Sequence, residues 1–170
     1  MLDWTVETRK RVFEEFYQLT ARQVMDPTFA AAAFLPAHCP ISEVLDALVD
    51  ADHAWVRAEG TDNHRITSII LRRDLLQALE PPRPSYTRIS RVRFHSLAHG
   101  SADCVCRFTE GRVLHEVAPE TPCRDVLHTM ERKGAVYLPV VEDGILIGEI
   151  GAEHLVRAIR SVPIRKTTRP

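Results

Sequence analysis

Apolar residues near the start of the chain recur at helical spacing. Val12, Phe13, Phe16 and Tyr17 fall on one stripe, and Arg9, Lys10, Arg11, Glu14 and Glu15 form the wet side. This predicts an amphipathic helix from Thr5 to Thr20, preceding everything else. Its aromatic stripe needs cover: from this chain's own core, from a second copy of the chain, or from another protein. Beyond it the pattern changes to short apolar runs separated by amphipathic helices, and the order of these elements occurs twice.

The duplication is visible residue by residue. Cys39-Pro40-Ile41-Ser42-Glu43-Val44-Leu45-Asp46-Ala47-Leu48 aligns with Thr121-Pro122-Cys123-Arg124-Asp125-Val126-Leu127-His128-Thr129-Met130 at a separation of 82 residues. In each copy a proline suited to the first turn of a helix precedes an acid, and Thr121 is positioned to cap the second copy. Val44, Leu45 and Leu48, like Val126, Leu127 and Met130, share a helical stripe. At the same separation Ala54-Trp55-Val56 pairs with Val136-Tyr137-Leu138, both predicted strands. Ile66 to Leu71 and Leu146 to Gly151 follow at a separation of 80, with the difference assigned to the loop at Gly60 to His64 against Glu142-Asp143-Gly144. Helices at Asp74 to Leu79 and His154 to Ile159 close the copies, and apolar stretches at Ala30 to Leu35 and Val113 to Val117 open them. Each copy thus reads strand, helix, strand, strand, helix, an α+β unit. A period near 80 exceeds the roughly 20–50 residues of solenoid repeats, so two half-domains burying one sheet face against the other are expected. Glu80-Pro81-Pro82-Arg83-Pro84-Ser85 cannot continue a helix and marks the linker. The expected organisation is an N-terminal helix at 1–20, repeat 1 at 21–80, a linker with one strand near Val105 to Thr109 at 81–110, repeat 2 at 111–162, and a basic tail at 163–170.

Composition narrows the class without naming it. With 45% apolar and 26% charged residues among 170, the chain matches soluble globular domains and is not disordered. No apolar run approaches the roughly 20 residues of a membrane-spanning helix. The opening Met1-Leu2-Asp3-Trp4 lacks the order of a secretory signal, which leads to an expectation of a cytoplasmic protein. The net charge of −1 supplies no field for nucleic acid, yet residues 1–80 carry −5 and residues 81–170 carry +4.

Catalytic signatures are missing. The eight histidines (His38, His53, His64, His95, His99, His115, His128 and His154) are scattered, and the sequence has no H-E-x-x-H, nucleophile elbow or phosphate loop. Cys123 and His128 are five residues apart, which does not stack them on one helix face. A non-enzyme is expected. The four cysteines suit reduced thiols; Cys104 and Cys106 read as small apolar residues on one strand face or, with His95, His99 and His115, as a zinc site.

Three segments carry a family resemblance. Val24-Met25-Asp26-Pro27 is similar to the V-M-T-x-x-P opening of CBS domains, and Leu138 to Gly148 resembles the family's L-P-V-V-D-x-x-G-x-L-V-G segment. Asp74-Leu75-Leu76 resembles its D-L-L. The resemblance covers about residues 20–160. It implies duplicated β-α-β-β-α repeats packed sheet to sheet as a pseudo-twofold pair, assembly into a homodimer, and two clefts. In the family these clefts commonly take AMP, ADP, ATP or S-adenosylmethionine and regulate a separate effector protein, with no cofactor required and no chemistry of their own.

The family's cleft pattern G-h-x-[ST]-x-x-D implies an acid on the ribose hydroxyls and a hydroxyl near the phosphate at a helix start. In Ser68-Ile69-Ile70-Leu71-Arg72-Arg73-Asp74 the acid is present as Asp74, Leu71 replaces the hydroxyl, and Arg72 and Arg73 add positive charge suited to a polyphosphate. Asp74 also fits a plain first-turn acid favoured by the helix dipole. In Gly148-Glu149-Ile150-Gly151-Ala152-Glu153-His154 both are lost, to Gly151 and His154, and Glu153 opposes a phosphate. Tyr137-Leu138-Pro139 matches the family's adenine wall, whereas Ala54-Trp55-Val56-Arg57 lacks the proline. The expected nucleotide-binding residues are Asp74, Arg72, Arg73, Ile69, Ala54, Val56, Tyr137, Leu138, Pro139 and His154, with no metal site. The alternative is a ligand-free dimerisation or interaction scaffold.

Overall fold

The computed structural model describes residues 5–60, 65–79 and 113–163. In chain order the elements are α1 (Val6–Gln18), α2 (Ala21–Val24), β1 (Ala32–Pro36), α3 (Ile41–Asp50), β2 (His53–Arg57), β3 (Ile66–Leu71), α4 (Arg72–Leu79), α5 (Cys123–Lys133), β4 (Tyr137–Glu142), β5 (Ile145–Gly151) and α6 (Ala152–Ser161). The class is α+β, with two small sheets and the expected N-terminal helix. The described residues fall into two units: a first of 29–79 with 113–114, and a second that joins 5–28 to 115–163. The predicted strand near Val105, the cysteines Cys104 and Cys106, and the tail beyond residue 163 lie outside the described residues.

In the first unit β1 runs parallel to β2 and β2 antiparallel to β3. Alternation along β2 sends Ala54 and Val56 into a core with Leu35, Cys39, Val44, Leu48, Ile70 and Leu75. Trp55, on the other side of β2, is fully buried as well.

The second unit has the same plan with a thinner sheet. β4 and β5 form a hairpin whose turn residues Asp143 and Gly144 both have positive φ, 52° and 77°, as a two-residue type I′ turn requires. The stretch Val113 to Val117, predicted as a strand, contributes a single bridge, Val117 beside Val140 in parallel. The reason is Pro139. Val117 donates to Pro139 O and accepts from Val141 N at 3.0 Å each, but a bond two residues earlier in the ladder would need the N–H that Pro139 lacks. The opposite edge of β5 is taken by Asp26, which exchanges two backbone bonds with Glu149 at 2.8 and 3.0 Å. Ala21 N donates to Thr121 O at 2.8 Å, and the Met25 side chain fills the space above Gly148. Residues 21–28, expected to open repeat 1, therefore pack with the second unit.

Helix α1 starts at Thr5, whose hydroxyl accepts from Thr8 N at 3.2 Å. Most of its stripe is covered within its own unit, Phe13 being left 38% exposed. Val12 and Phe16 are buried with Val126, Leu138 and Leu155, and the Arg124 guanidinium lies 5.5 Å from the Tyr17 ring centre. The starts of α3 and α5 differ from expectation in one respect. Pro40 and Pro122 occupy the N-cap itself, at φ −67° and −63°, rather than the first turn. Thr121 is one residue too early to cap, and its backbone instead bonds Ala118 and Ala21.

Cys123 opens α5 fully buried, and desolvation pushes its thiol up from 9.0 to about 11. The unfolded chain releases this proton above pH 9, while the folded chain holds it to about pH 11. Stability of the second unit is therefore expected to fall as pH rises through that window. Urea midpoints from pH 8.5 to 10.5 should decline more steeply for the wild type than for Cys123→Ala.

The structure corrects the repeat alignment between its helices and its strands. His53 lies opposite Leu71, and Tyr137 opposite Gly151; the bulge at Val56/Arg57 matches that at Val140/Val141. His53 is thus the counterpart of Tyr137, Ala54 of Leu138 and Trp55 of Pro139, a separation of 84 rather than 82. Two residues enter at the end of α5, where Gly134 adopts a left-handed cap at φ 61° and Ala135 N bonds Met130 O at 3.0 Å. The hairpin of the first copy is then four residues longer, which restores the separation of 80 at β3 and β5.

Candidate functional site

Each copy places its chemistry where the last strand turns into the last helix. Asp74 is the third residue of α4, buried to 6% exposure, and its Oδ2 accepts the Leu71 N–H at 2.8 Å. His154 is the third residue of α6, equally buried, and its Nδ1 accepts the Gly151 N–H at 2.8 Å. The two side chains therefore do the same structural work, each closing the first helical turn from the third position. The ring nitrogen Nδ1 thus serves as the acceptor at this turn, in the place of a carboxylate oxygen. His154 keeps the cap but not the negative charge.

Their neighbours divide the charge. Arg72 does not point its cation at the start of α4. Its Nε donates to Leu48 O at 3.0 Å, its Nη2 to Ala51 O at 2.8 Å and Val49 O at 3.4 Å, and its Nη1 lies 3.4 Å from Asp52 Oδ1. It caps the C-terminus of α3, which has no basic residue in its own last turn. The charge that Arg72 was expected to add for a polyphosphate is thus engaged at the end of α3. Arg73 is exposed and has no ion pair among the described residues. Its counterpart in the second copy is Glu153, so one helix start presents a cation and the other a carboxylate.

The strand residues divide by face. Ala54, Val56 and Leu138 turn their side chains into the cores and can offer a ligand only backbone. On the other face of their strands stand His53 and Trp55 in the first copy, Tyr137 and Pro139 in the second. Ile69, half-buried, sits opposite Trp55. His53 is fully buried and meets the Trp55 ring edge to face at 5.3 Å. Sequence reading missed His53 as the counterpart of Tyr137, because the helix-based alignment placed it one step outside the strand; only the paired bulges give the register. In the second copy a Cβ built on Gly151 would stand 2.5 and 2.7 Å from the Glu153 carboxylate oxygens and 2.6 Å from Tyr137 Cε1. The Tyr137 ring and the Glu153 carboxylate thus close over the bare backbone at 151, where the hydroxyl residue of the pattern would stand. Among the described residues no three His, Cys, Asp or Glu side chains are grouped to hold a metal ion, and no helix is long and apolar enough to cross a membrane.

The fold is the one seen in tandem CBS modules. The CBS domain family matches residues 112–161 directly. Among solved structures, the chain is similar to the CBS domain of the bacterial CNNM/CorC family Mg2+ transporter in complex with ATP, at TM-score 0.64 and 17% identity, covering 91% of this chain and 96% of that one. It is similar to CBSX2 in complex with AMP, at TM-score 0.59 and 19% identity, covering 82% and 94%. The CBS domain pair of protein MJ0100 in complex with 5-methylthioadenosine and S-adenosyl-L-methionine gives TM-score 0.58 and 15% identity, also covering 82% and 94%. No curated protein matches by sequence.

Proposed function

We propose that this chain is a regulatory CBS pair, a cytoplasmic homodimer that senses an adenosine compound and passes the signal to a separate effector protein without chemistry of its own. The observation that carries the reading is Asp74: a carboxylate held by the Leu71 N–H at the start of α4, where a pair of vicinal hydroxyls would find an acceptor. Two further observations support it. Arg73 gives the same helix start a cation for a phosphate, and solved CBS structures of the same fold carry ATP, AMP or S-adenosylmethionine. For the homodimer, support comes from α3, whose outward residues Leu45 and Val49 are 41% and 71% exposed. The repeat boundaries at 21–80 and 111–162 belong to this reading as proposed sequence units.

Thermal melting with AMP, ADP, ATP and S-adenosylmethionine tests it. A ligand at 100 times its dissociation constant adds about 2.7 kcal/mol to stability. Asp74→Asn is expected to keep most of the helix cap, since its amide oxygen still accepts from Leu71 N, and to lose most of the ligand shift. An Asn variant that retains the full shift removes Asp74 from the site. A second reading, a ligand-free dimerisation or interaction scaffold, is favoured by Leu71 and Gly151, neither of which has a hydroxyl. Silence across the panel, with a dimer in solution, selects it.

A further inference from the structure

The two helix starts differ at one position in a way that reverses their charge. Counted from the strand-end residues Leu71 and Gly151, the second helical position is Arg73 in the first copy and Glu153 in the second. The start of α6 has the unpaired N–H groups that favour an anion, but the chain supplies one itself. Glu153 turns back so that both its oxygens lie against Gly151, and its Oε1 is 3.6 Å from His154 Nδ1. Three features act together there. Gly151 leaves room for the carboxylate, Tyr137 walls the other side, and His154 spends its acceptor on the Gly151 N–H. A phosphate entering this corner would have to displace a like charge. A neutral hydroxyl would meet an acceptor, and a cationic group would meet an ion-pair partner.

We infer that Glu153 is a specificity-determining residue that makes the second copy's cleft exclude phosphate and accept the uncharged or cationic end of an adenosine compound. The first copy, with Arg73 at the matching position, takes the phosphorylated one. The pair would then compare two chemical forms of one nucleoside, phosphorylated against unphosphorylated, rather than read a single ligand twice. This inference rests on the proposal that the clefts bind adenosine compounds at all.

Calorimetric titration of the full chain with adenosine and with AMP separates the two. Glu153 is half-exposed, so Glu153→Ala should leave the fold intact, which its circular dichroism and melting temperature verify. Glu153→Ala is expected to tighten AMP binding at least tenfold, or to add a second AMP site, while adenosine affinity stays within threefold. Arg73→Ala is expected to do the converse, weakening AMP and sparing adenosine. Adenosine binding with AMP isotherms identical in wild type and Glu153→Ala overturns the assignment of Glu153. Silence with both compounds in all three proteins overturns the nucleoside-binding proposal itself, and this inference with it.

Discussion

Phe16→Ala is expected to lower the stability of the second unit by about 3–5 kcal/mol, the range for emptying a fully buried aromatic position. Phe16 has 0% exposure and is in one core with Val12, Val126, Leu138 and Leu155, so truncation leaves a cavity among them. An effect of this size would be a large share of the total stability of a domain this small. Phe13, one residue from the stripe's centre, is 38% exposed, and Phe13→Ala should cost far less. Urea denaturation followed by circular dichroism distinguishes the pair. Equal, small effects would mean that α1 is an appendage rather than part of the core.

Arg72→Ala is expected to cost about 2 kcal/mol, because three carbonyls at the end of α3 lose a charged donor at once. The guanidinium is half-exposed, so water takes up part of the loss, and the figure is set below the sum for three buried bonds. Arg72→Lys should recover little, since an ammonium cannot span three acceptors in a fixed fork. Arg73→Ala, with no partner to lose among the described residues, should change stability by under about 0.5 kcal/mol. Two adjacent arginines thus separate by measurement into one that caps α3 and one that does not.

That separation marks the limit of what the sequence disclosed. Arg72 and Arg73 are alike on paper; which one turns back to cap α3 depends on where the end of α3 lies, a tertiary fact. The duplicated helices were legible because proline and the apolar stripe recur at fixed spacing in both, and β4 and β5 because their alternation ends in a strong turn signal at Asp143-Gly144. The strand register was not legible. Helix α5 and its Gly134 cap take two more residues than the end of α3, and in a strand such an offset still keeps core residues facing the core. Apolar alternation therefore matched equally well at 82 and at 84, and His53 went unnoticed. The stretch Val113 to Val117 looked like a strand because β-branched residues frame it; its pairing stops at the single bridge of Val117 because of Pro139 on the neighbouring strand, which no local pattern reveals. Of the candidate site, Asp74, Glu153 and the loss of acid at His154 were visible as residues. Their common capping bond was not, because a carboxylate and an imidazole give no shared signature until both are seen accepting an N–H from the strand end.

The pairing of a cap with a charge explains how the second copy can abandon the acid without losing its helix. His154 makes the bond that orders the first turn of α6 without a carboxylate, and the charge at that corner is that of Glu153. In the first copy the capping residue is itself the acid, Asp74.

A crystal structure of the full chain grown with excess AMP tests the central claim most directly. The account predicts nucleotide density with its ribose on the Asp74 carboxylate, and an α6 start still closed by Glu153. AMP phosphate seated at Gly151 with Glu153 turned away, or an Asp74 corner empty at saturating nucleotide, would contradict it.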